Sequence, residues 1–216
     1  MKRMLVLLSL LCVLGYAFAV AQEMLWLRMM LRPLPHLLLC VALLSIQKSW
    51  SRWGALLALL WAACAEAMWA WWPDALVWRW TLWSAQCLCM TVVVWRRSRR
   101  WELARVMPFW GYAMGCFSIL YSAYLHVAPQ RLWMGGVYLL CLSAYSWRAS
   151  VLFTEEQLSK ACVWMAVCAG LCLWARETLW GVSMFVQPLP WMPQVTMFWS
   201  WSASVFLVLA VLDWNA

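Results

Sequence analysis

Long apolar runs, separated by short segments that hold the basic residues, constrain this chain more than any other feature. Eight such runs follow one another within 216 residues, of which 67% are hydrophobic and 11% charged. Soluble domains average about 45–50% apolar and about 25% charged residues, so one of this size could not bury so much apolar surface. About 20 apolar residues in a helix cross the hydrocarbon core of a bilayer. The sequence therefore predicts an all-α, polytopic transmembrane helix bundle of about eight helices, with residues 1–216 forming one transmembrane domain.

The predicted spans lie, in chain order, at 4–22, 33–47, 53–72, 75–95, 106–127, 132–153, 161–180 and 196–212. The second span is short and opens with Pro33 and Pro35, and proline is tolerated in the first turn of a helix. The fifth contains Gly111-x-x-x-Gly115, a spacing that lets helices approach closely in a membrane. The connections are short, so neighbouring helices are expected to be antiparallel.

The first span resembles a cleavable signal peptide, because Lys2 and Arg3 precede its apolar run and Ala17-Phe18-Ala19-Val20-Ala21 follows before Gln22. We expect it to be retained as the first helix. The basic residues then give the orientation by the positive-inside rule. Eleven lie on the inner side if the N-terminus is inside, and five lie on the outer side. The inner set is Lys2, Arg3, Lys48, Arg52, Arg96, Arg97, Arg99, Arg100, Arg105, Arg148 and Lys160; the outer set is Arg28, Arg32, Arg79, Arg131 and Arg176.

This count predicts an N-in/C-in bundle, and the expected location is a bacterial inner (cytoplasmic) membrane. The net charge of +8 is explained by orientation, so nucleic acid is not an expected partner. All ten cysteines lie within apolar runs without a Cys-x-x-Cys pair, so we expect small buried hydrophobes and no metal site. The chain has 22 Trp. Those near the outer surface could form a cage for an ammonium headgroup or an ordinary aromatic belt, and we prefer the belt: Trp69, Trp71, Trp72, Trp78, Trp80 and Trp191.

Ionisable groups inside a membrane are costly, so each one within a span is a functional candidate. Glu66 lies in the third span and Glu177 near the end of the seventh, both in the outer half of the membrane. Burial disfavours the charged form of a carboxyl and a neighbouring cation favours it. We therefore predict a catalytic pair that lines one pocket, with Glu66 as the acid and Glu177, beside Arg176, as the ionised base. The alternative is a structural role in interhelical salt bridges, for instance Glu66 with Arg79.

Other polar residues at a similar depth are candidates for substrate binding, and Gln86 lies deeper. These candidates are Arg32, His36, Arg79, Gln86 and Arg176. His126 ends the fifth span at a similar depth, and for both histidines the alternative is a position at the membrane interface.

Four short motifs together resemble the YhhN family of eight-helix membrane proteins, which includes lysoplasmalogenases. Arg32-Pro33-Leu34 resembles the Lys-Pro-Leu that opens the family's second helix, and Ala65-Glu66 lies where the third helix usually has Gly-Asp. Residues 169–177 resemble the seventh-helix run that ends in Ser-Asp. Residues 201–208 resemble the last-helix pattern of an aromatic, a small residue, Gln or His, and Leu-Ile.

The chain departs from this pattern at several positions. Glu66 and Glu177 replace the two Asp, and Arg176 replaces the Ser before the second one. Val205 stands where the last helix has Gln or His. Gln86 is only a loose match for the His that the family commonly has in its fourth helix.

The resemblance implies hydrolysis of the vinyl ether bond of lysoplasmalogen or a related ether lysolipid inside the membrane, without a metal or other cofactor. Membrane lipids, among them a lysophospholipid substrate, are the expected partners. A family member that has lost catalysis and acts as a structural or binding protein is the alternative, and Arg176 and Val205 favour it. A small transporter, with Glu66 carrying protons, is a third hypothesis. Paired halves and interrupted helices, which are typical of transporters, are not evident in the sequence.

Overall fold

The computed structural model describes residues 2–45, 49–72, 74–124 and 128–214, and within these ranges it is all-helical, without strands. Two short 3-10 helices lie at Leu103–Val106 and Leu152–Thr154. The α-helices are α1 Lys2–Ala21, α2 Leu25–Leu31, α3 Leu34–Leu44, α4 Trp50–Trp71, α5 Leu76–Trp95, α6 Met107–Tyr124, α7 Pro129–Val151, α8 Lys160–Phe185 and α9 Met192–Asp213.

The prediction of an eight-helix membrane bundle is confirmed, with α2 and α3 counted as one span. Seven helical segments of the described chain are long and apolar enough to cross a membrane. The eighth, α5, has the required length but is less apolar, because Arg79 and Gln86 interrupt it. Together these segments form an integral membrane protein.

The second span begins earlier than predicted and is interrupted in its middle. It extends over Leu25–Leu44, and α2 ends at Leu31 before α3 begins at Leu34. Pro33 and Pro35 have no N–H, so the i to i−4 hydrogen bonds that these two positions would donate to Met29 and Leu31 are missing. The prolines therefore do open a helix, α3, but the seven residues of α2, about two helical turns, precede them within the same span.

The helices pack in an order that leaves α6 at the margin. α9 contacts α1, α3, α4 and α8, while α5 packs between α4 and α7. α6 packs mainly on α7 and has few contacts with α8. Residues from α3 to α9 form one continuous buried core, to which α6 contributes Ala113 and Leu120.

The Gly111-x-x-x-Gly115 motif does not mediate close helix packing, contrary to the prediction. A Cβ placed on either glycine would meet no atom within 4 Å. The close contact between α6 and α7 lies elsewhere, at Gly135, where a Cβ would come within 2.9 Å of Leu120 Cδ1. Gly111 and Gly115 instead line an open cavity beside α8.

Several helix ends meet on one side of the bundle. Arg97 Nη2 donates to Ser51 Oγ and to the Trp214 carbonyl, each at 3.3 Å, and Ser159 Oγ donates to Asp213 Oδ2. These contacts join the start of α4, the end of α5, the start of α8 and the end of α9. The antiparallel arrangement predicted from the short connections is what brings these ends together.

Candidate functional site

A buried cluster of charges lies where α1, α3, α4, α7, α8 and α9 approach one another. Glu66 of α4 is fully buried, and its Oε2 accepts a hydrogen bond of 2.7 Å from Arg32 Nε. Arg32 follows the last residue of α2, so the interruption of the second span places its guanidinium inside the bundle. Arg32 Nη1 also donates to Tyr16 Oη of α1 at 2.7 Å. The guanidinium stacks over the Trp69 ring at 4.2 Å.

Arg176 links the two carboxylates that the sequence singled out. Its Nε donates to Glu177 Oε1 at 2.7 Å, and its Nη1 lies 3.9 Å from Glu66 Oε1, within ion-pair distance but beyond a hydrogen bond. Since one planar guanidinium contacts both groups, the carboxylates are held within roughly 9 Å of each other. Arg176 is fully buried and also stacks over the Trp83 ring at 4.0 Å.

The predicted salt bridge between Glu66 and Arg79 is wrong in its partner. Glu66 pairs with Arg32 and Arg176. The Arg79 guanidinium instead lies over the Trp69 ring, 4.5 Å from its centroid. Two guanidiniums lie close to Glu66 and favour its carboxylate form, whereas one lies close to Glu177. Glu66 is therefore the less suited of the two to the role of acid that its apolar sequence context suggested.

Glu177 has a different environment. Its Oε1 accepts hydrogen bonds from Arg176 and from Tyr138 Oη, the latter at 3.1 Å, and Arg176 Nη2 donates to Tyr138 Oη at 2.7 Å. Its side chain is 8% exposed, and it lines a cavity of about 430 Å³ between α6, α7 and α8. Glu66 does not line this cavity. The two carboxylates thus lie close together on either side of Arg176, as predicted, but this cavity is lined by Glu177 and not by Glu66, which differs from the predicted shared pocket.

The cavity beside Glu177 is almost entirely apolar. Its walls include Trp80, Leu120, Leu139 and Phe185, and it opens to the outside of the bundle near Ile119, which is half exposed. Membrane lipid surrounds this face of a transmembrane bundle, so the opening leads from the bilayer to a carboxylate. Volumes of about 300–1,000 Å³ are usual for small-molecule sites.

His36 of α3 is fully buried and meets α9 in the same region. Its Nδ1 lies 2.9 Å from Ser204 Oγ, and Ser204 Oγ donates to the Ser200 carbonyl at 3.2 Å. This pattern assigns the ring proton to Nδ1 and leaves Nε2 as an acceptor without a partner among the described residues. Arg176 Nη1 donates to Ser200 Oγ at 3.4 Å, so α9 connects His36 with the charge cluster.

The remaining candidates are placed less tightly. Gln86 is buried, and its Oε1 has no hydrogen-bond partner in the described part of the chain. Arg79 lines a cavity of about 250 Å³ near the start of α5, at the end of the bundle that the basic residues predict to be external. His126 lies outside the described residues.

The proposed tryptophan cage is not formed as one group. Trp71, Trp72 and Trp78 line an outer cavity together with Asp74, whereas Trp69 stacks against Arg32 and Arg79. Trp80 is buried against Trp180 at 5.8 Å between ring centroids, and Trp191 is an exposed residue just before α9.

Sequence reasoning missed Tyr16, Tyr138, and Ser200 and Ser204 of α9. A tyrosine in an apolar span looks like any aromatic residue, and only the fold shows that each hydroxyl accepts a hydrogen bond from a buried arginine. The polar position of the last helix was assigned to Val205, but the neighbouring Ser204 makes the contact with His36. No local sequence pattern therefore indicated that these four hydroxyl groups lie near the buried arginines.

Comparison with known proteins agrees with the motifs. A family model described as the YhhN family matches residues 27–211, which is most of the chain. No curated protein and no solved structure gives a significant match. The matched range runs from α2 into the last turn of α9 and includes Arg32, Glu66, Arg176 and Glu177. The resemblance predicted from short motifs is therefore confirmed, and the chain belongs to the YhhN family.

Proposed function

We propose that this protein hydrolyses the vinyl ether bond of a lysoplasmalogen or a related ether lysolipid within the membrane, and that Glu177 transfers the proton. The observation that carries this proposal is the position of Glu177. A carboxylate held by Arg176 and Tyr138 faces an apolar cavity that opens toward lipid. A single hydrocarbon chain suits such a cavity, and its polar end would then lie beside Glu177.

The chemistry balances with one carboxyl group and one water. Protonated Glu177 gives its proton to the vinyl carbon that is not bonded to oxygen, and the adjacent carbon becomes an oxocarbenium centre. Water then bonds to that centre while the Glu177 carboxylate accepts one of its protons. The resulting hemiacetal breaks its bond to the glycerol oxygen, which gives a fatty aldehyde and a glycerophospho alcohol. Nothing is oxidised or reduced.

In this scheme the other members of the cluster are positioning residues. Arg176 and Tyr138 both bond Glu177 Oε1, so Oε2 is the oxygen left to face the substrate. Glu66 lies 3.9 Å from Arg176 Nη1 and is itself fixed by Arg32 at 2.7 Å. Glu177, which the sequence predicted as the base, is therefore proposed as both acid and base. Glu66, which the sequence predicted as the acid, instead orients Arg176, which in turn orients Glu177.

A second candidate function is lipid binding without catalysis, and one observation favours it. The Arg176 guanidinium lies between the two carboxylates and is within ion-pair distance of both. The family motif that residues 169–177 resemble has a serine at this position, and a serine would leave the space between the carboxyls open. An arginine that neutralises both groups could hold the helices together after catalysis was lost.

Aldehyde release from lysoplasmalogen by the purified protein in lipid nanodiscs separates the two functions. We expect turnover by the wild type, and a loss of about 100-fold or more in Glu177→Gln, because the amide cannot transfer the proton. Glu156→Gln is the matched control, since Glu156 is exposed and distant from the cluster in sequence. Arg176→Ser, which frees Glu177 from its cation, is the third variant.

The outcomes are distinct. Equal activity in Glu177→Gln and the wild type would show that another group transfers the proton. If the wild type and Arg176→Ser both bind lysolipid but release no aldehyde, the binding function replaces the hydrolase. Turnover that appears only in Arg176→Ser would show that the family chemistry is present but blocked by the arginine.

A further inference from the structure

Arg79 is a buried cation without a carboxylate partner in the described part of the chain. It is 5% exposed, and its Nε has no hydrogen-bond partner there. The Trp69 ring, 4.5 Å from the guanidinium, is its close contact. Arg32 and Arg176 lie at a similar depth, but each of them is paired with a glutamate. A buried charge is costly unless it is paired, so Arg79 is arranged to receive an anion.

Arg79 lines a cavity of about 250 Å³ that also contains Arg131 and Asp74. The lining therefore has two positive charges and one negative charge. Arginine is well suited to phosphate, because its planar group of N–H donors matches two phosphate oxygens at once.

This cavity adjoins two others. Asp74 and Arg131 also line the outer cavity, whose walls include Trp71, Trp72 and Trp78. On the other side, Trp180 lines both the Arg79 cavity and the Glu177 cavity. An aromatic region with a carboxylate, a region with two arginines, and an apolar region that contains Glu177 thus follow one another from the outer surface into the bundle.

A single-chain phospholipid presents its groups in the same order. Its ammonium suits the tryptophans and Asp74 by cation–π attraction and ion pairing, its phosphate suits the arginines, and its chain suits the apolar cavity. We propose that Arg79 and Arg131 bind the headgroup phosphate of a lysophospholipid and so place the ether bond beside Glu177. The choice of lipid rests on the proposed function, whereas the phosphate site rests on the arginines themselves.

A binding comparison tests this inference without requiring turnover. The probes are a saturated 1-O-alkyl lysophospholipid, which has no vinyl ether to cleave, the 1-O-alkylglycerol of the same chain length, and inorganic phosphate. We expect the wild type in nanodiscs to bind the lysophospholipid about tenfold or more tightly than the alkylglycerol, as charge-assisted hydrogen bonds to phosphate imply. In Arg79→Gln this preference should fall to near one, with alkylglycerol affinity unchanged.

Arg28→Gln is the matched control, because Arg28 is on the same side but bonds the Ala19 and Val20 carbonyls away from the cavity. Arg79→Lys should keep part of the preference, since it keeps the charge. If Arg79→Gln does not fold, Arg131→Gln tests the same cavity from α7. An unchanged preference in the folded variants would overturn the inference. Competition by inorganic phosphate as strong as by the lysolipid would overturn the assignment to a lipid.

The two proposals fail in different ways. Loss of hydrolysis in Glu177→Gln with the phosphate preference intact supports both. A wild type that releases no aldehyde but shows a preference dependent on Arg79 keeps the phosphate site and removes the hydrolase. Normal hydrolysis with no such preference removes the phosphate site alone.

Discussion

Glu66 shows how one carboxylate can stabilise a buried set of cations. It is hydrogen-bonded to Arg32 and lies within ion-pair distance of Arg176, and all three side chains are buried. Removing one partner of such a group is costly, because it leaves the other charges without compensation in a medium of low dielectric constant. The two arginines and two glutamates of the cluster balance in charge, so the loss of one glutamate leaves an excess cation.

Glu66→Gln should therefore destabilise the folded protein by about 3–5 kcal/mol. The amide has nearly the same size, so the loss is electrostatic rather than steric. Thermal unfolding in detergent, followed by circular dichroism, measures the effect. Glu156→Gln removes a charge of the same sign from an exposed site and should shift the midpoint little. Equal midpoints for the two variants would mean that Glu66 does not support the cluster.

The sequence was sufficient to identify which residues carry the charges but not how they pair. The cost of burying an ion made Glu66, Arg176 and Glu177 candidates without any knowledge of the fold. The partner of Glu66 depends on helix rotation and tilt, which apolar spans do not encode in a local pattern. Arg79 was the nearest cation in sequence to Glu66, but the interruption after α2 brought Arg32 to it instead.

At the scale of single elements, α6 differs from the other spans in how few of its residues are buried. Only about a tenth of its most apolar window is buried within the bundle. This loose packing on the α8 side forms the cavity that Glu177 lines. Gly111 and Gly115 of α6 line this cavity. Their Gly-x-x-x-Gly spacing therefore matches a helix-packing motif in sequence, but in the structure these glycines leave room for the cavity.

Alanine substitutions should change stability in opposite directions at glycines that face open space and at glycines packed against a neighbouring helix. Gly111→Ala and Gly115→Ala meet open space and should raise stability, by up to about 1 kcal/mol each, through better helix propensity. Gly135→Ala should lower it by about 1–3 kcal/mol, because its Cβ would lie 3.3 Å from the buried Trp80 ring. Gly54→Ala should do the same against Val93.

Midpoints of thermal unfolding in detergent measure these changes. Destabilisation by Gly111→Ala as large as that by Gly135→Ala would restore the prediction that the α6 glycines pack against a neighbouring helix. The sequence could not show which glycines pack closely, since Gly54, Gly111, Gly115 and Gly135 all lie in apolar helices. The sequence did predict the spans well, because the length of an apolar run is enough to identify a span. It missed the start of the second span at Leu25, because Pro33 has the features of the first residue of a helix.

At the scale of the whole molecule, the structure changes how the basic residues are counted. Arg32, Arg79 and Arg176, three of the five assigned to the outer side, are buried in the bundle and do not face outer water. Arg28 and Arg131 remain near the outer ends of helices. Arg52 and Arg148 are likewise buried near the opposite ends, but the loop from Arg96 to Arg105 still holds several exposed cations there. The ratio of inner to outer basic residues, on which the predicted orientation rests, is thus larger than the sequence count indicated.

The whole bundle should therefore lie with the loop from Arg96 to Arg105 in the cytoplasm. An even number of spans puts both termini on that side, and the contacts of Arg97 with Ser51 and Trp214 place the ends of three helices there together. Arg99→Cys and Gln187→Cys put a thiol on exposed residues at opposite ends. In intact cells an impermeant maleimide should label only Gln187→Cys above the background of the ten native cysteines, and Arg99→Cys should react after permeabilisation. Labelling of Arg99→Cys in intact cells would invert the orientation, and the Arg79 and Glu177 cavities would then open toward the cytoplasmic leaflet.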